Sequence, residues 1–125
     1  MNSKIIISIL LVLSNSLFSQ ISQNMKKLAE RDELLGTFYN DVWGYTAPNG
    51  NEYAIIGSRR SVGFYDVTDC SNPELVFEYV DGLDDNNIWR DFKTYQNVAY
   101  GSADTGAEGL EIFNLADINN ITVTQ

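Results

Sequence analysis

Gly63-Phe64-Tyr65-Asp66-Val67-Thr68-Asp69 returns 48 positions later as Glu111-Ile112-Phe113-Asn114-Leu115-Ala116-Asp117, and that recurrence decides the fold. Tyr65, Asp66, Val67 and Asp69 stand against Phe113, Asn114, Leu115 and Asp117: an aromatic, an Asx residue, an aliphatic and an acid at matched intervals. Two further echoes flank the first in the same order. Asp41-Val42-Trp43-Gly44-Tyr45 is answered by Asp91-Phe92-Lys93-Thr94-Tyr95, and Ile56-Gly57-Ser58 by Tyr100-Gly101-Ser102. Self-similarity at about 40–50 residues, carried by short apolar segments, implies one small antiparallel sheet of four strands per unit, as in propeller blades. A β-sandwich also has short strands and turns, but it does not require matched motifs at a fixed offset.

Working outward, the segments between the echoes read as strands and turns. Tyr53–Ser58, Val62–Val67 and Leu75–Val80 are short, apolar and rich in β-branched and aromatic residues, and Leu34–Tyr39 reads as a first strand before them. Pro48-Asn49-Gly50-Asn51 and Asp69-Cys70-Ser71-Asn72-Pro73 separate them. Asn-Gly admits the positive φ of a tight hairpin, Asx side chains bond to nearby backbone, and proline forbids continuation of a strand. Residues 20–33 carry the charged stretch Lys26 to Glu33 and form a lead-in with at most a short helix. The expected fold class is therefore all-β: about two propeller-like antiparallel units, an incomplete ring, over residues 34–125.

At the N-terminus, Lys4 precedes the apolar run Ile5 to Leu13, and polar Ser14-Asn15-Ser16 follows. This is the layout of a secretory signal peptide over residues 1–19, with cleavage expected between Ser19 and Gln20. The run is too short to span a bilayer, which takes about 20 apolar residues, so no membrane span is expected in the mature chain. The expected location is the extracellular region or the cell surface. The whole chain carries −9, and loss of Lys4 with the signal peptide leaves −10. Such a surface repels phosphate backbones, which argues against nucleic acid as a partner. Cys70 is the one cysteine and has no internal disulfide partner; it reads as a small turn residue.

Asp66-Val67-Thr68-Asp69-Cys70-Ser71-Asn72-Pro73 and Leu110 to Asp117 resemble LVIVD repeats. Tyr39–Tyr45 with Glu52-Tyr53-Ala54, and Ile88–Lys93 with Ala99-Tyr100, resemble more narrowly the bacterial choice-of-anchor B proteins. The resemblance covers residues 34–118 or so. It implies an exported β-propeller of several repeats, with remaining blades of the same polypeptide expected, tethered at the cell surface through a C-terminal sorting region.

Chemistry is constrained mainly by what is missing. There is no histidine, so this chain cannot assemble a Ser-His-Asp or Cys-His nucleophile or a paired-histidine zinc site. Asp81, Asp84 and Asp85 concentrate oxygen ligands in one loop and form a weak calcium candidate without the regular spacing of a calcium-binding loop. No cofactor is expected. Basic residues are scarce, so Arg59, Arg60 and Arg90 stand out, and with Trp43 and Trp89 they are the candidate contacts for an anionic or glycan ligand. Their structural alternative is pairing with surplus acids, Arg90 with its neighbour Asp91. Recurrent Asp41/Asp91 and Asp66/Asn114 read as turn and strand-end acceptors, because a residue repeated in every unit serves the unit. The expected function is a binding or interaction module for an extracellular protein or glycan, without catalysis. The alternative is part of a secreted carbohydrate-active or other hydrolase whose catalytic residues lie in further blades.

Overall fold

A computed structural model describes residues 24–36, 38–80, 89–105 and 109–125. The signal peptide expected over residues 1–19 and the Asp81, Asp84, Asp85 loop lie outside the described residues. The described residues form eight strands: β1 (Tyr39–Thr46), β2 (Glu52–Ser58), β3 (Ser61–Asp66), β4 (Glu74–Val80), β5 (Arg90–Tyr95), β6 (Val98–Ala103), β7 (Leu110–Asn114) and β8 (Thr122–Thr124). They make two four-stranded antiparallel sheets, each in simple sequential order. Among the described residues no helix is long and apolar enough to cross a membrane.

The sheets are built alike down to single hydrogen bonds. Asp66 Oδ1 accepts from Thr68 N at 2.9 Å and Asn114 Oδ1 from Ala116 N at 3.0 Å. Asp69 and Asp117 likewise accept from the amides two residues on, at 2.9 and 3.1 Å. Val67 N donates to Glu52 O, and Leu115 N to Asn97 O. These side chains satisfy turn amides that the ladder cannot reach, which is why Asx recurs there. Cys70 is exposed in the first of these turns. At the β1–β2 hairpin, Gly50 adopts φ +90° and its amide bonds Ala47 O at 2.9 Å.

Two sequence expectations need correction. Leu34–Tyr39 is not a strand: Leu34 to Gly36 are bends, β1 starts at Tyr39, and no helix forms in 24–36. The lead-in instead lies over the first sheet, with Leu34 buried, Leu35 N on Glu78 Oε1 (2.8 Å), Leu35 O accepting from Ser58 Oγ (2.6 Å), and Arg31 Nε on Pro73 O (2.7 Å). The echo between Ile56-Gly57-Ser58 and Tyr100-Gly101-Ser102 is one residue out of structural register. Ala54 pairs with Tyr65 and Ala99 with Phe113, so the true offset there is 45 and Gly101 takes the place of Ile56, not Gly57. A one-residue shift in a strand reverses the face. Gly57 and Gly101 accordingly lie on opposite faces of their own sheets, both against Phe92.

The core sits in the seam between the sheets. Ile55, Val62 and Phe64 from the first sheet and Phe92, Ala99 and Phe113 from the second are completely buried. Phe64 and Phe113 meet with their rings tilted at 57° and their centroids 5.2 Å apart, and Tyr79 meets Phe113 edge-on at 5.7 Å. Burial of such side chains contributes about 1.5–3 kcal/mol each. β5 is the strand of the second sheet that packs on β1 and β2 of the first.

Candidate functional site

The antiparallel order gathers the β2–β3 turn, the end of β4 and the start of β5 at one end of the molecule. Ser61 pairs with Val80 there, and Arg90 Nε donates to Ser58 O at 2.7 Å. This end holds Arg59, Arg60, Trp89 and Arg90. Trp43 lies farther along β1, inside the seam.

The four residues at this end are not equivalent. Arg60 is exposed in the turn, and the Arg59 guanidinium stands 4.0 Å over the ring of Phe38, which is itself 59% exposed. Trp89 is 67% exposed, its backbone held by Asp104 through Trp89 N to Oδ1 (3.3 Å) and Asp104 N to Trp89 O (3.1 Å). Arg90 instead points inward. Its Nη1 pairs with Glu111 Oε2 at 3.2 Å, with both side chains almost fully buried. Its partner is thus Glu111 and not Asp91, whose carboxylate bonds exposed Lys93. Burial lowers the Arg90 pKa from the ordinary arginine value, and the Glu111 carboxylate opposes that shift. Arg90 remains charged and clamps β5 to β2 across the seam.

Trp43 also belongs to the seam: its Nε1 donates to Thr94 Oγ1 at 2.9 Å, and Lys93 Nζ sits 4.1 Å over its ring. The end thus presents Arg59, Arg60, Phe38 and Trp89, with Trp43 and Arg90 holding the sheets behind them. Sequence reading passed over Phe38, which has no repeat partner to single it out. It also passed over Glu111, although a glutamate replacing Gly63 in a matched motif was a usable sign of a different environment.

At the opposite end, Asn51, Asp66, Thr68, Asp69, Asn72 and Glu74 line a shallow polar hollow. The carboxylates are used by their own turns: Asp66 and Asp69 by the amides named above, and Glu74 Oε1 by Asn72 Nδ2 at 3.2 Å. The second sheet makes the same turn with neutral Asn114 in place of Asp66. Charge is therefore not what that position requires. Among the described residues no group of three or more Cys, Asp or Glu is placed to hold a metal ion. Compared with protein-family models, curated proteins and solved structures, the chain matches none.

Proposed function

We propose that the two sheets are successive blades of an exported β-propeller of the LVIVD-repeat, choice-of-anchor B kind, serving as a binding module whose contact end carries Arg59, Arg60 and Trp89. The hydrogen-bond-for-hydrogen-bond repetition of the two units supports the propeller. The observation that carries the binding role is local: two arginines and two exposed aromatic rings share one end of a chain of net charge −9. Guanidinium groups recognise carboxylates in bidentate fashion, and aromatic faces stack on sugar rings, so an acidic glycan fits this chemistry.

Calorimetric titration of residues 20–125 with an oligogalacturonate tests this. Binding should weaken at least tenfold in Arg59→Ala/Arg60→Ala, about 1.4 kcal/mol, and decline with added salt. No binding, or binding indifferent to both arginines, refutes the assignment. Export is tested separately by mass spectrometry of the secreted chain, which should begin at Gln20.

A further inference from the structure

We propose that the lead-in positions the arginine turn: docking of Leu34, Leu35, Gly36 and Phe38 on the first sheet fixes Arg59 and Arg60, so what the contact end presents depends on the lead-in. The inference rests on that end being the binding end, and its test separates the two.

The β2–β3 connection consists of Arg59 and Arg60 alone. On either side stand Ser58 and Ser61, both completely buried. Their hydroxyls converge on one acceptor outside the sheet, Leu35 O, at 2.6 and 3.2 Å. Ser58 Oγ also accepts from Ser61 N at 3.0 Å and from Arg60 N at 3.3 Å. One hydroxyl thus joins the lead-in to the backbone that carries the arginines. The arginine side chains meet the same segment. Gly36 adopts φ +85°, and a Cβ there would meet Arg60 Cγ at 3.1 Å and Arg60 N at 3.2 Å, so the lead-in backbone lies directly against Arg60. Any other residue at 36 would be strained by its backbone and crowded by that contact. Phe38, just before β1, lies under the Arg59 guanidinium.

The second sheet shows that the strands themselves do not need these groups. Ala103 stands at the register of Ser58 and Gly109 at that of Ser61, and the β6–β7 connection runs over 104–109 instead of two residues. A hydroxyl pair found in one unit alone serves what that unit alone has, which is the lead-in. Its attachments are few: Leu35 N on Glu78 Oε1 (2.8 Å), Arg31 Nε on Pro73 O (2.7 Å), and Leu34 buried over Gly63. Residues 24–28 ahead of them are exposed. A segment held this way opens more easily than the strands beneath it. On opening, two buried hydroxyls lose the Leu35 carbonyl and the arginines lose Gly36 and Phe38. Binding that needs the ordered turn then weakens in proportion to the docked fraction.

Limited trypsin digestion of the secreted chain, read by mass spectrometry, reports on the turn without any ligand, because Arg59 and Arg60 are themselves cleavage sites. Cleavage there should be slow in the wild type beside that at exposed Lys26 and Lys27, and about tenfold faster in Gly36→Val, since proteolysis follows the open fraction. Glu78→Ala removes the acceptor of the Leu35 amide and should accelerate it likewise, whereas Glu78→Gln keeps an acceptor and should restore slow cleavage. Slow cleavage at Lys93, within β5, marks the variants whose sheets persist, and the Glu78 pair decides the matter if Gly36→Val is not among them. Oligogalacturonate affinity should fall about tenfold in Gly36→Val although both arginines are present. Turn cleavage that neither Gly36→Val nor Glu78→Ala accelerates overturns the proposal, as does an accelerated turn with undiminished affinity. A wild-type chain that binds no oligogalacturonate, while its turn cleavage follows the lead-in, defeats the acidic-glycan reading and supports the positioning role.

Discussion

Tyr45 and Tyr95 occupy the same register position in sheets of the same order, yet one is buried in the seam and the other stands in solvent. Asp41 and Asp91 diverge in the same way: the first accepts the Phe92 amide across the seam, the second bonds a surface lysine on its own strand. The near faces differ too. The second sheet's is covered by a whole sheet, the first sheet's only by the lead-in, where Leu34 fills the space above Gly63 that Glu111 fills in the other unit. An ideal Cβ on Gly63 would come within 2.5 Å of Leu34 Cδ2. The comparison teaches that local pattern sets the strand, turn and register, whereas the neighbour sets how much a side chain matters.

That contrast can be broken at several positions. The largest effect belongs to the seam ion pair: Glu111→Ala strands the Arg90 guanidinium in a dry interface and should cost about 3–5 kcal/mol in urea denaturation. Replacing both partners with apolar residues should recover most of it. A residual loss as large as in the single variant would show that Glu111 acts through something other than Arg90.

Next is the lead-in cover. Burial, reinforced by Glu33, pushes the Tyr65 phenol up to about 12 from 10.0. Folded Tyr65 keeps its proton where an unfolded tyrosine has lost it, so stability is intact below pH 10 and falls as pH rises toward about 12. At about 1.4 kcal/mol per pKa unit the loss is on the order of 2–3 kcal/mol. Chemical denaturation across that range measures it, and Leu34→Ala should move the phenol's absorbance titration back toward 10. An unchanged titration in that variant would mean that the lead-in does not shield the ring.

The smallest effect makes the cleanest comparison. Asp41→Ala removes a charge-assisted bond to a backbone amide and should cost roughly 2 kcal/mol. Asp91→Ala should stay within about 0.5 kcal/mol because it removes only an exposed pair. Equal costs would erase the distinction between seam and free face.

Much of the fold was legible in the chain. The matched motifs placed β3 against β7 and β1 against β5, and the Asx turns came out as acceptors because their chemistry is local. The β2–β6 echo misled by one residue, since Gly57 and Gly101 are each small for a different reason, one on each face. The candidate site was half legible. Scarce arginines drew notice as a group, but composition cannot tell Arg59, stacked on Phe38, from Arg90, sealed against Glu111.

Sequence by itself determined the repeat, the strands, the turns and the acidic balance, because hydrogen bonding and side-chain alternation act over a few residues. Only the tertiary structure decided which face of each sheet is buried, which arginine is a clamp and which is presented, and where the lead-in lies. Those outcomes depend on the surface that arrives opposite each residue, and that surface comes from tens of residues away along the chain.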